Sequence, residues 1–260
     1  IMGAILLSTA VLSQLFKNIK YLLCKIKKID FTKKDILFLI VIFIFLNAEA
    51  VLYCTNMRQI FVWDNAGYFT SVHSLNDIFP STEYFKAVYD SVFETDYNYI
   101  IMLPASIMCK LFGKSRLVFI LSIVNFYLYP IFVLIYTFAR HFFKASAIKV
   151  ICIYLCLPYL IFAANTGFID IGGIIPVLLA CILYFYCDKD KTSVMVGALL
   201  AVAVYMRRWY SFFALSFVIT ALIFGITEKR LKPFFEVLLS FAFMLLFFAQ
   251  DFVSTRLLAD

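Results

Sequence analysis

The sequence predicts an all-α membrane protein whose helices form a polytopic transmembrane bundle. Of its 260 residues, 64% are hydrophobic and only 15% are charged, and its mean hydropathy is +0.96. Soluble domains are about half apolar and about a quarter charged, so water is not the main solvent of this chain. Backbone amides in hydrocarbon must pair within a helix or in a closed barrel, and the long apolar runs lack the alternation of barrel strands.

Residues 36–54 form the first predicted span, because nineteen residues at about 1.5 Å each nearly cross a hydrocarbon core of about 30 Å. The run at 99–112 is interrupted by Pro104 and carries Lys110, so it either spans the membrane or lies in its interface. Six other apolar runs bring the predicted total to about seven spans, at 117–138, 150–164, 171–187, 193–206, 210–226 and 234–250.

Lysine and arginine in short loops mark the cytoplasmic side of a membrane protein. Seven lysines precede or open the first span and place its start inside: Lys17, Lys20, Lys25, Lys27, Lys28, Lys33 and Lys34. If 99–112 does not cross, the later basic turns at 140–149, 189–191 and 229–232 also fall inside. We therefore expect 55–116 to be one long extracytoplasmic loop with interfacial helices, and its acidic residues agree: Asp64, Asp77, Glu83, Asp90, Glu94 and Asp96.

These assignments divide the chain into three parts. Residues 1–35 are predicted to be a basic cytoplasmic or interfacial segment, and 36–250 form the transmembrane module. Residues 251–260 are expected to begin a continuation, since the chain starts at Ile1 and stops just after an apolar stretch, as a fragment of a longer protein would.

Three polar segments meet on the outer face under this topology, although they are distant in sequence. They are 61–69 after the first span, the short turn 165–170, and the turn 207–210. Such convergence is what an active site requires, because chemical groups from separate segments must act on one substrate.

The residue types in these segments suggest acid–base chemistry on an anionic lipid. Asp64 and Asp170 supply carboxylates, one of which can deprotonate a hydroxyl, and Arg207 and Arg208 can hold a phosphate leaving group. Trp209 follows the arginine pair, as expected at a membrane interface.

Each of these residues also has a purely structural interpretation. Asp64 could cap an interfacial helix that starts at Asn65, and Asp170 could be a turn residue. Arg207 and Arg208 could contact only lipid headgroups.

Two other polar residues stand out, Glu49 in the first apolar span and His73 in an amphipathic stretch. Glu49 lies five residues from the end of its predicted helix, where it can reach water or face a polar cavity. His73 is better explained as an interfacial residue than as a ligand or base.

No cluster of histidine with acidic residues predicts a metal site, and no Gly-rich phosphate-binding motif predicts nucleotide hydrolysis.

Motifs in a particular order give the chain a family resemblance over about 36–250. It resembles the polyprenyl-phosphate-sugar-dependent glycosyltransferases of the C-type (GT-C) membrane fold, particularly family 39 and the lipid A aminoarabinose transferases. The matching residues, in order, are Asp64 with Tyr68, Leu103-Pro104 leading to Lys110-Leu111-Phe112-Gly113, Tyr136 with Ala139, Arg140 and His141, then Asp170, and finally Gly197 with Arg207 and Arg208. The chain departs from the family where Asp64-Asn65 stands for Asp-Glu, where Lys-Pro-Pro is missing, and where Arg207-Arg208-Trp209 replaces Lys-Gly-Pro.

The resemblance implies an inverting sugar transfer at the extracytoplasmic face of the plasma (inner) membrane. Asp64 is then the catalytic base and Asp170 assists in positioning, while Tyr68, Arg207, Arg208 and Trp209 bind substrate. The implied partners are a polyprenyl-phosphate sugar, a glycan, lipid or protein acceptor, and membrane lipids, with no nucleic acid. No cofactor is predicted, and a divalent cation is left open.

Two other functions are compatible with the same features. A transporter or flippase of a lipid-linked sugar also needs an outer polar pocket with cations, although no internal repeat is evident in the sequence. An assembly subunit would use the outer loop only to bind partners.

Overall fold

A computed structural model describes residues 13–14, 16–21, 31–57, 64–94, 98–146, 149–150 and 158–257, and within these ranges it is helical with no strands. We number the helices α1 (Lys33–Asn56), α2 (Asp64–Ile78), α3 (Thr82–Glu94), α4 (Leu103–Phe112), α5 (Arg116–Ile123), α6 (Tyr129–Phe143), α7 (Pro158–Asn165), α8 (Ile174–Tyr186), α9 (Lys189–Met206), α10 (Tyr210–Thr227) and α11 (Lys232–Leu257). A π-helical segment, Val124–Leu128, joins α5 to α6, and 3-10 helices precede α4 at Tyr99–Met102 and α8 at Ile169–Gly173.

Four helices among the described residues are long and apolar enough to cross a membrane: Lys33–Asn56, Arg116–His141, Ile169–Tyr186 and Tyr210–Thr227. They correspond to four of the seven predicted spans. The part of the chain that the structure describes is therefore all-helical, and the length and composition of these four helices are those of a membrane protein.

The other three predicted spans are helical where they are described. Helices α9 and α11 cover 193–206 and 234–250, but α9 begins with the charged residues 189–191. The span at 150–164 lies partly outside the described residues, which show only α7 there. The segment Tyr99–Phe112 is a shorter apolar helix, about 21 Å long at 1.5 Å per residue, which is less than the hydrocarbon thickness.

The chain divides into two compact units. The first, here called the Asp64 unit, comprises 31–175 and 205–207, and the second, the α10 unit, comprises 1–30, 176–204 and 208–260. Within the α10 unit, α9 packs closely on α11, because a Cβ on Gly197 would lie 2.4 Å from the carbonyl oxygen of Val237.

Polar contacts at both ends hold α1 against the segment from α5 to α6. At one end, Arg116 Nη1 donates to the Met57 carbonyl oxygen at 2.8 Å. At the other, the Asp35 carboxylate accepts from the Tyr136 hydroxyl at 2.5 Å and from Arg140 Nε at 3.0 Å. The two segments are therefore antiparallel, and their register is fixed at each end.

An amide pair links the same two segments between those ends. Asn47 and Asn125 each donate from Nδ2 to the other's Oδ1, at 3.0 and 2.9 Å. Asn125 belongs to the π-helical segment, where the wider turn changes the direction of the side chains relative to a regular α-helix. Inside a membrane, a reciprocal pair satisfies both amides without water.

We predict that Asn47→Leu alone and Asn125→Leu alone each destabilise the protein more than the double variant does. Each single variant leaves one amide without its partner, whereas the double variant removes both polar groups. The coupling free energy should be about 0.6–2 kcal/mol, the range of interhelical hydrogen bonds in membranes. Denaturant unfolding in detergent measures it, and strictly additive effects of the two substitutions would contradict the reciprocal pair.

Candidate functional site

Arg207 forms ion pairs with two carboxylates that are distant in sequence. Its Nη2 lies 3.2 Å from Asp64 Oδ2, and its Nε lies 3.2 Å from Asp170 Oδ2. The Arg207 side chain is only 11% exposed, and a guanidinium leaves water at an acceptable free energy only when anionic partners neutralise it. The structure thus brings together three of the predicted site residues, and all three belong to the Asp64 unit.

Tyr68 contacts both Asp170 and Arg207. It is fully buried, its hydroxyl donates a hydrogen bond to the Asp170 carboxylate, and the centre of its ring lies 6.0 Å from Arg207 Cζ. Burial, together with the negative charge of Asp170, raises the pKa of the Tyr68 phenol well above its usual range. The phenol therefore keeps its proton and acts as a donor throughout the physiological pH range. We call Asp64, Tyr68, Asp170 and Arg207 the Arg207 cluster.

Helix α2 supplies two members of the Arg207 cluster from one face. Asp64 is its first residue and Tyr68 lies four positions later, a spacing that places both side chains on the same side of a helix. A carboxylate in the first turn also interacts favourably with the positive end of the helix dipole. The Asp64 carboxylate pairs with Arg207, a contact that the capping interpretation does not include.

Close packing positions Asp170 in the 3-10 helix Ile169–Gly173. A Cβ at Gly172 would lie 2.7 Å from the ring of Tyr127, so only glycine allows this approach. Gly167 has a φ of +89°, a conformation that lets the chain reverse between α7 and the 3-10 helix. The two glycines let this turn pack closely, and Tyr68 and Arg207 satisfy the acidic residue that it buries.

Asn98 holds the backbone that carries Arg207, a role that the sequence analysis missed. Its Oδ1 accepts from the Ile100 amide at 3.0 Å, which caps the first 3-10 helix, and its Nδ2 donates to the carbonyl oxygen of Tyr205. Asn98 is 7% exposed. An asparagine before a helix is a recognisable capping signal, but its second bond joins residues 107 positions apart and could not be predicted from local sequence.

The two carboxylates of the Arg207 cluster differ in access. The Asp64 side chain is 39% exposed, whereas that of Asp170 is 10% exposed. One guanidinium faces both carboxylates. Asp64 is the carboxylate that a substrate can reach, and Asp170 is a buried partner of Tyr68 and Arg207.

The two other predicted site residues belong to the α10 unit. Arg208 and Trp209 are exposed residues of the α10 unit, so their role in substrate binding stays a prediction. Residues 61–63, including Trp63, lie outside the described residues. In the described part of the chain, no three His, Cys, Asp or Glu side chains come together as metal ligands.

We predict that Tyr68→Phe destabilises the protein by about 1.5–3 kcal/mol, because the buried Asp170 carboxylate loses a hydrogen bond to a charged acceptor. Tyr84→Phe is the matched control: Tyr84 is also buried, but its hydroxyl lies 2.8 Å from the neutral Ser106 hydroxyl, so about 0.5–1.5 kcal/mol is expected. Unfolding curves in detergent give both values. Equal losses for the two variants would show that Asp170 does not depend on Tyr68.

Comparison of the chain with protein-family models, with curated proteins and with solved structures gives no match.

Proposed function

We propose that the protein transfers a sugar from a polyprenyl-phosphate donor to an acceptor hydroxyl, with inversion, at the extracytoplasmic face of the inner membrane. One observation carries the proposal: Arg207 lies between an accessible carboxylate, Asp64, and a buried one, Asp170. A base next to a phosphate-binding cation is the minimum that such a transfer needs. The four apolar helices support the part of the proposal that places the substrate in the membrane.

The contacts of the two carboxylates suggest different roles in this reaction. Asp170 is buried, accepts from Tyr68 and pairs with Arg207 Nε, so it positions the guanidinium. Asp64 is the more exposed and contacts the other side of the guanidinium through Nη2. We therefore assign the base to Asp64 and a positioning role to Asp170.

Donor binding has to change the partner of Arg207, because the guanidinium already pairs with two carboxylates. An anionic phosphate is attracted only if the guanidinium turns its Nη2 end from Asp64 to the phosphate oxygens, with Nε still held by Asp170. Guanidinium N–H groups bond to phosphate oxygens as well as to carboxylate oxygens, so the Nη2 hydrogen bond to Asp64 can be replaced by one to the phosphate. The arriving donor would thereby release the Asp64 carboxylate to act as a base.

The chemical step then balances within these groups. The acceptor oxygen attacks the anomeric carbon as the Asp64 carboxylate takes its proton. The bond from the anomeric carbon to the phosphate oxygen breaks on the opposite face, and the polyprenyl phosphate leaves with the bonding electrons. Arg207 stabilises the charge that develops on the departing phosphate. Arg208 and Trp209 are the proposed second cation and interfacial aromatic for the lipid.

We predict that a cysteine at Glu83 is labelled from outside intact cells by a membrane-impermeant maleimide, in a background whose seven native cysteines are alanine. Glu83 is exposed in α3, within the proposed outer loop. Lys232→Cys, in the proposed inner turn, is the control and should react only after permeabilisation. Reaction of both cysteines from the same side would overturn the topology.

We predict that Asp64→Asn lowers the rate of sugar transfer by at least about 100-fold, because the acceptor loses its base. Binding of the donor lipid should be retained or strengthened, since Arg207 no longer pairs with a carboxylate at that end. Asp77→Asn is the control: Asp77 is an exposed acid of the same helix, bonded to Lys114, and its loss should leave transfer unchanged.

Transfer is measured with radiolabelled polyprenyl-phosphate sugars and membranes that contain the protein. An unaltered rate for Asp64→Asn would refute the catalytic assignment. Movement of the lipid-linked sugar across the bilayer by the wild-type protein, without transfer, would favour the flippase alternative instead.

A further inference from the structure

Two polar side chains that are not in the Arg207 cluster meet within the Asp64 unit. Glu49 lies in the membrane-spanning helix α1, and Asn165 is the last residue of α7. The Asn165 Nδ2 donates a hydrogen bond to Glu49 Oε2. An acidic side chain inside a span is costly and usually has a functional reason.

The pair leaves one strong acceptor unused. Asn165 is only 1% exposed, and among the described residues nothing donates a hydrogen bond to its Oδ1. A buried amide oxygen without a donor costs free energy, and folded proteins rarely keep one unless a ligand or water satisfies it. The neighbouring pair Asn47–Asn125 shows that this fold does satisfy both halves of an amide when no ligand is needed.

The chemistry of the pair selects the class of ligand. The Asn165 amide uses one N–H group on Glu49, so what the pair mainly offers a ligand is oxygen acceptors, the Asn165 Oδ1 and the Glu49 carboxylate. The oxygens of a phosphate are hydrogen-bond acceptors, which do not bond to the acceptor oxygens of the pair. The Glu49 carboxylate would also repel the negative charge of a phosphate. Hydroxyl groups are the complementary donors, and a sugar carries several of them on one rigid ring.

Asn165 lies five residues before Asp170, and Glu49, Asn165 and the Arg207 cluster all belong to the Asp64 unit. We infer that Glu49 and Asn165 form a subsite that binds hydroxyl groups of the donor sugar while Arg207 binds its phosphate. This inference rests on the proposed function and adds the residues that would recognise the sugar.

The decisive variant is Glu49→Gln. A glutamine amide can donate to Asn165 Oδ1 while still accepting from Asn165 Nδ2, which would reproduce the reciprocal Asn47–Asn125 arrangement. The variant should therefore unfold at a higher denaturant concentration than the wild type and yet bind the sugar-bearing lipid about tenfold more weakly, because its own side chain occupies the acceptor.

The test compares two lipids for each variant. One is undecaprenyl phosphate without a sugar, and the other is the undecaprenyl-phosphate sugar that the wild-type protein turns over best in a panel of hexoses and pentoses. Glu49→Gln and Asn165→Leu should weaken binding of the second lipid about tenfold and leave binding of the first within about twofold. Asn76→Leu is the control, since Asn76 is also buried, at 4% exposure, but donates to the Ser106 carbonyl.

The outcomes separate this inference from the proposed function. If the two substitutions change binding of both lipids equally, or of neither, then water or a protonated Glu49 satisfies Asn165 and the subsite is wrong. Arg207→Gln tests the proposed function independently, because it should weaken binding of both lipids through their common phosphate. Unchanged binding of both lipids by Arg207→Gln, or no turnover of any lipid in the panel, would refute the proposed function itself.

Discussion

The burial of one guanidinium is the constraint on which the candidate site depends. Arg207 is 11% exposed, so it needs anionic partners, and these come from the start of α2 and from the 3-10 helix before α8. The chain must therefore bring residues 64, 170 and 207 into contact with one another. Tyr68 and Asn98 complete the support, the first through the Asp170 carboxylate and the second through the Tyr205 carbonyl.

Polar contacts also organise the helices that hold this site. Lipid offers little hydrophobic driving force between helices, so packing and interhelical hydrogen bonds decide how they associate. Helix α1 is bonded to its antiparallel neighbour at Asp35, Asn47 and Met57. Tyr136 and Arg140, which belong to the motifs that resemble the glycosyltransferases, both bond to Asp35. They therefore have a structural role at the end of α1 that carries Asp35.

The same interactions account for the division of roles among similar residues. Asp64 and Asp170 are chemically identical, but Asp170 is buried with Tyr68 while Asp64 stays accessible. Glu49 and Asn47 lie two positions apart in α1, yet only the Asn47 pair is reciprocal. What distinguishes a reactive or binding group from a structural one in this protein is therefore the set of partners that the fold supplies.

The sequence by itself determined the class of the protein and the residue types of the site. Hydropathy predicted helices that cross a membrane, because apolar composition over a span length is a local property, and four of them are present by length and composition. Residue types and the order of the motifs also singled out the candidate site residues Asp64, Tyr68, Asp170 and Arg207. Only the tertiary structure decided that Arg207 joins both carboxylates, that Asn98 anchors its backbone and that Asn165 faces Glu49. These contacts join residues 37 to 143 positions apart, and such pairings depend on helix packing, which no local pattern encodes.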